Sequence, residues 1–149
     1  MNKHLVFVCL LSVAGCAAMR ASQARDAHIA QATQAHTYQH ACNEVWGSAR
    51  TMLFAQDFQV KSADAAAGLT LETEWKAAKD GASERYLFQG AAPTPTSCRV
   101  TATKATKTAK GDTQMERDWH MEWNLIKQVD TVAANQIESD AEKAGDSAR

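Results

Sequence analysis

Apolar residues recur along this chain at several different periods, and each change of period marks an element. Leu5 to Val13 is a nearly unbroken apolar run behind a short polar start that carries Lys3. Residues 17 to 34 hold mostly Ala, Gln and Ser, with Arg20, Arg25 and Asp26 among them and almost no large apolar side chain. Such a stretch has little to bury and predicts a tether. From about Thr37 the spacing becomes helical: Tyr38, Cys42, Val45, Ala49 and Met52 recur at steps of three or four, with Trp46 and Leu53 beside them. This predicts an amphipathic helix of about 18 residues ending near Gln56.

The period then drops to two. Phe58 and Val60 alternate with Gln59 and Lys61 as a short strand, and Ala65-Ala66-Ala67-Gly68 makes a turn. Leu69, Leu71, Thr73 and Trp75 share one face of the next strand, while Thr70, Glu72, Glu74 and Lys76 share the other. Lys79-Asp80-Gly81 signals a turn. Arg85 to Gln89 is a third strand, broken by Gly90, Pro93 and Pro95. Cys98 to about Thr108 is a fourth, threonine-rich, with Val100 as its one large apolar residue. Lys104, Lys107 and Lys110 punctuate it as they would an edge strand guarded against mispairing, and Gly111-Asp112 closes the sheet.

Met115 to Val129 carries two patterns at once. Met115, Trp119, Met121, Trp123 and Leu125 alternate as in a strand, while Trp119, Trp123, Ile126 and Asp130 follow a helical step, with Glu122 and Lys127 on the opposite side. Length favours a helix. Asp130 or Thr131 then reads as a kink or a new N-cap, and Val132, Gln136 and Ile137 continue the helix to about Ala144. The expected fold is α+β: an N-terminal helix, a four-stranded antiparallel sheet and a C-terminal helix broken near Asp130, both helices on one sheet face. The expected division is a leader over residues 1–15, a tether over 16–36, one domain over 37–144 and a loose tail over 145–149.

Composition sharpens this picture. Sixteen Lys and Arg against 17 Asp and Glu give a formal charge of −1, which excludes a strongly basic nucleic-acid binder. Of the 149 residues 45% are hydrophobic, but 29 are alanine, so the core is modest and calls for staples. Trp46, Trp75, Trp119 and Trp123 are the residues expected to supply bulk that alanine cannot.

The leading apolar run spans roughly 13 Å as a helix, less than half of a bilayer's hydrocarbon thickness. It reads as the apolar region of an export signal. Val13-Ala14-Gly15-Cys16 follows and resembles the lipobox of bacterial lipoprotein signal peptides; the alternative is an ordinary secretory peptide cut nearby. The resemblance implies cleavage before Cys16, a diacylglycerol on its sulfur and an anchor in the bilayer through acyl chains. Ala17 follows where an aspartate in enterobacterial lipoproteins marks inner-membrane retention. The implied location is therefore the outer membrane, facing the periplasm.

In that compartment Cys9 leaves with the signal and Cys16 carries lipid, so Cys42 and Cys98 are expected to pair; two separate buried thiols are the alternative. The runs Cys42-Asn43-Glu44-Val45-Trp46 and Gly68-Leu69-Thr70-Leu71-Glu72-Thr73-Glu74-Trp75 weakly resemble one module of the helix-grip lipoproteins of the β-barrel assembly machine, over residues 41–76. One module fits this chain, whereas those proteins typically carry two, and the resemblance supports the fold more than a function.

Other groupings are weak. His36 and His40 lie at i and i+4 but have no third zinc ligand, so a solvated helix start is the plainer reading. His120, between two tryptophans, is expected at a helix boundary. Glu72 and Glu74 are two carboxylates on a solvated strand face, and catalysis by them is a remote alternative. Arg99 with Lys104, Lys107 and Lys110 forms a strip that could touch acidic lipid or simply guard an edge. No phosphate loop, nucleophile elbow, His-Glu-x-x-His or Cys-x-x-Cys occurs. The expectation is a non-enzymatic envelope lipoprotein without cofactors beyond its lipid, working through other envelope proteins and not nucleic acid. The alternative is a carrier of an apolar envelope ligand in a cleft lined by Trp75, Trp119 and Trp123.

Overall fold

The computed structural model describes residues 4–61 and 69–149, and side chains from residue 17 onward within them. The start of the leader, the turn expected at 65–68 and the Cys16 side chain lie outside the described residues. The elements are α1 (His4–Ala35), α2 (Cys42–Ala55), β1 (Thr70–Glu72), β2 (Lys76–Ala77), β3 (Ser83–Ala91), β4 (Arg99–Lys107), β5 (Thr113–Arg117), α3 (Trp119–Val129) and α4 (Thr131–Ser147). The fold is α+β. Its sheet is antiparallel in the order β1-β3-β4-β5, with β2 also paired to β3.

Helix α2 buries the stripe the spacing predicts: Cys42, Val45, Trp46, Ala49, Met52 and Leu53. It starts later than expected because Tyr38 is extended, exchanging both backbone hydrogen bonds with Cys98 at 2.8 and 3.0 Å. The disulfide between Cys42 and Cys98 pins the same place. At the other end Phe58 N–H donates to Leu53 O and Asp57 N–H to Phe54 O, both at 3.0 Å. This is a Schellman close, with Asp57 at φ 61° where glycine is usual. Asp57→Gly is therefore expected to raise stability by about 0.5–1 kcal/mol, readable as a higher thermal midpoint.

Tyr86, Phe88, Val100, Ala102 and Leu71 are buried on the sheet face that meets the helices, where Trp46 packs edge-on to Phe88. The strand expected at 58–60 reduces to one bridge between Val60 and Thr73. The fourth strand, expected at an edge, is interior: β4 lies between β3 and β5. Lys104 does not guard an edge but pairs with Glu84 of β3 at 2.6 Å. The sheet does not close at Gly111 either. Gly111, at φ 96°, turns the chain into β5, where the helix was expected to begin. The ambiguous stretch is strand only as far as Arg117 and helix from Trp119: of the alternating residues Met115 alone lies in β5, the others are in α3, and Asp118 stands between the two elements. Its carboxylate caps α3 by accepting from Met121 N–H at 3.0 Å. Asp130 caps α4 in the same way, accepting from Ala133 N–H at 3.0 Å, as its position predicts.

Residues 17–35, expected as a tether, are ordered helix packed on α4. Ala21, Ile29 and Thr33 are buried, and with Arg25 they form a stripe at steps of four. Gly145 of α4 permits the contact: a Cβ there would stand 3.1 Å from Ala21 O. Alanine-rich helices bury little area each but approach closely, so hydropathy does not reveal them.

Candidate interaction surface

The sheet's outer face is built by a slip in pairing. Glu72 faces Leu87, and Thr73 N–H donates to Tyr86 O; beyond that, Lys76 faces Glu84. Glu74 and Trp75 thus stand opposite the single residue Arg85, a β-bulge. The bulge turns Trp75 away from the core face it shares by alternation with Leu71 and Thr73. It is 38% exposed, with the Arg85 guanidinium 4.8 Å from its ring. Arg85 also donates to Glu72, which pairs with Lys61 at 3.2 Å. Glu72 lies on the outer face, as expected. Lys76 does not: its ammonium donates to Gln56 O at 2.6 Å and sits over the Phe58 ring.

At the far side of the sheet β5 is the edge. Thr108 N–H donates to Asp112 O and Asp118 N–H to Ala102 O, so Gln114 and Glu116 direct their backbone groups toward β4. The alternate residues Thr113, Met115 and Arg117 direct theirs outward. Among the described residues no strand pairs with that side, and Met115 at its middle is 59% exposed. The opposite border is partly covered, since Lys61 N–H donates to Glu72 O and Glu74 N–H to Gln59 O.

Where β5 stops, Glu122 takes over the edge of β4. It is 2% exposed, not on a solvated side of its helix as the pattern predicts. Its carboxylate accepts from Ala102 N–H at 2.9 Å and from Arg117 through Nε at 2.8 Å and Nη2 at 2.9 Å. That bond raises the guanidinium's pKa. Tyr86 Oη donates to Asp118 at 2.9 Å. Burial first, then this bond, pushes the phenol above its ordinary range. Neither Glu122 nor Arg117 stands out in the sequence as a site residue.

The three tryptophans expected to line one cleft are not together. Trp75 lines a hollow with Asp57, Gln59, Glu74 and Lys76, Trp119 stacks on His120 with ring centroids 3.6 Å apart, and Trp123 is buried in the core. The pair His36 and His40 sits on no helix, because α1 ends at Ala35 and α2 begins at Cys42. His40 pairs with Glu44 at 3.2 Å, whereas His36 lies edge-on to Tyr38 with Nε2 3.6 Å from Asp130. Among the described residues no group of three or more metal-ligating side chains gathers. Of the basic strip, Lys104 is paired across strands and Arg99 reaches Thr37 at 3.4 Å.

Burial lowers the His36 pKa from the ordinary 6.5, with Asp130 opposing. The folded protein therefore holds this imidazole neutral, and unfolding takes up a proton as the pH falls below that value. Stability should be full above the imidazole range and decline through it on acidification. Thermal melts across that range check this, and His36→Gln should flatten that part of the profile.

Among the described residues no helix is long and apolar enough to cross a membrane. The chain matches no protein-family model, and no curated protein matches it.

Proposed function

We propose that this chain is a non-catalytic lipoprotein, anchored through Cys16 on the periplasmic face of the outer membrane, that docks another envelope protein by strand addition at β5. The observation that carries the docking half is the open outer side of β5, with the backbone groups of Thr113, Met115 and Arg117 turned away from β4. An extended segment could add there as a further strand, main-chain bonds supplying affinity and the exposed Met115 a contact. The lipobox supports the anchoring half. The Arg117 charge is paired with Glu122 and so is not left unpaired toward an added strand.

The helix pair α1 and α4 bears on how such an anchor would present the sheet. The two run antiparallel, Ala21 against Gly145 at one end and His36 beside Asp130 at the other. Arg25 and Glu142 lie 3.9 Å apart between them. Residues 17–35 rise roughly 28 Å at 1.5 Å each. A chain lipidated at Cys16 would carry its sheet on this two-helix stalk and not on a loose linker, which limits the positions β5 can reach.

Met115→Pro tests the docking. The Met115 N–H points outward, so proline there leaves the β4–β5 bonds intact while blocking an added strand. Membrane extracts probed with the anchored chain should yield a partner that the proline variant fails to retain, with the variant's melting nearly unchanged. No stable partner, or equal retention by both, would overturn the docking. Cys16→Ala tests the anchor independently: the variant should leave the membrane fraction, and unchanged partition would sink that half.

A further inference from the structure

We propose that the open side of β5 pairs with β5 of a second copy of this chain, antiparallel and centred on Met115, joining two sheets into one. This rests on the open edge described above and names the first strand to occupy it; a foreign segment would then have to displace the second copy.

The edge is suited to pairing with itself. Thr113-Gln114-Met115-Glu116-Arg117 holds no proline, no lysine and no bulge, the devices by which an exposed strand usually resists pairing. Its single cation is held by Glu122. Met115 stands beside Ala105 on the outer sheet face and is 59% exposed. Among the described residues no hydrogen bond or ion pair occupies the Gln114 or Glu116 side chain. With a formal charge of −1, two copies approach without strong long-range repulsion.

Charge then selects the register. Thr113, Met115 and Arg117 turn their backbone groups outward, so these residues must face their counterparts in the second copy. Centred on Met115, the strand sets Thr113 opposite Arg117, Gln114 opposite Glu116 and Met115 opposite Met115, and every residue of β5 is used. The two methionines form an apolar pair, and each Gln114 amide can donate to the facing Glu116 carboxylate, twice in the dimer. Just past the strand Asp112 comes opposite Asp118, whose carboxylate is already taken by Tyr86 Oη and the α3 cap. A slip of two residues one way sets Glu116 against Glu116, and the other way sets Asp112 against Glu116. Either slip shortens the ladder and opposes two free carboxylates. The two-fold axis of the favoured register is perpendicular to the sheet, so both helix layers lie on the same side of it. A strand of five residues buries little against the about 1,200–2,000 Å² of a standard interface. Association is therefore weak and reversible in solution, and anchorage in a shared bilayer would favour it by raising local concentration.

The test uses the full-length chain in micelles of a zwitterionic detergent, with single cysteines placed on β5 and oxidised by copper phenanthroline. Linked peptides are identified by mass, so other thiols do not count. Met115→Cys should link to itself, because facing Cα atoms in such a pair lie about 5.5 Å apart. Gln114→Cys and Glu116→Cys should link when mixed and not separately. Sedimentation of the parent should show a monomer–dimer equilibrium. Gln114→Glu should weaken it by about tenfold or more with melting unchanged, Gln114→Lys should tighten it, and Met115→Pro should abolish it. Met115→Cys linking no faster than Thr113→Cys, whose copies would stand about 14 Å apart, would overturn the proposal. Equal association of Gln114→Glu and the parent, or self-linking of Glu116→Cys, would overturn it too. Copies that stay separate while a membrane partner is still lost in Met115→Pro would sink the dimer and leave docking of another protein standing. Linked copies with no such partner would support the dimer and sink that docking.

Discussion

Replacing both Cys42 and Cys98 by serine is expected to remove about 4 kcal/mol from the unfolding free energy. The bridge spans 56 positions of sequence, and closing a loop of that length restricts the unfolded chain heavily. The loss is large against the roughly 5–15 kcal/mol available to an ordinary domain. It matters more here, where alanine supplies so much of the apolar composition. The bridge also joins the first residue of α2 to the strand entering β4, beside the Tyr38–Cys98 backbone pair. Urea melts of the oxidised protein and the double-serine variant should give midpoints that differ accordingly. Chemical reduction of the parent should move it most of the way to the variant. Coincident melts would mean that the bridge contributes little beyond geometry.

Glu122→Ala should cost about 3 kcal/mol, roughly 10 °C in melting temperature for a protein of this size. The substitution leaves Ala102 N–H buried without an acceptor and Arg117 without its two-bond partner. An unsatisfied buried donor costs about 1–3 kcal/mol alone. The guanidinium adds less, because its side chain is 37% exposed and can turn to water. Arg117→Ala strands the carboxylate instead, so the double variant should lose less than the sum of the singles. A double-mutant cycle by thermal melting measures this, and additive losses would show that the two residues act separately. The effect should also reach function: if β5 is anchored through Arg117, loosening it blurs the edge to which a partner would add.

Much of the fold was legible in the amino-acid order because its signals are local. The three-and-four spacing from Cys42 to Leu53 places α2, and the carboxylate of Asp130 sits where a cap must sit. The turn residues near Gly81 separate two strands as expected, whereas those near Gly111, expected to close the sheet, lead into a further strand. The strand expected at Arg85 to Gln89 is the centre of β3. Where two local patterns overlapped, from Met115 to Val129, one rule had to be chosen for the whole stretch; the helical one holds from Trp119, and only the first three residues belong to a strand. The site was far less legible. Trp75 reads as a core residue under alternation, and only the slip against β3 sends it outward. His36 and His40 have metal-like spacing only if a helix runs through them, and Tyr38 pairing with Cys98 prevents it.

Periodicity, capping and turn chemistry depend on neighbours a few positions away, so the order of residues was enough to set α2, the α3–α4 break, the antiparallel strands and the two cysteines able to meet. Which strand lies inside, which glutamate is buried and which face a tryptophan takes depend on partners tens of residues distant. Those choices were made by packing: β5 covering the side of β4 that its lysines seemed to guard, Glu122 drawn in to serve an unpaired Ala102 N–H, and α1 lying on α4 through side chains too small to register as apolar. Hydropathy measures what each residue prefers alone, whereas close approach and pairing register belong to the assembled chain.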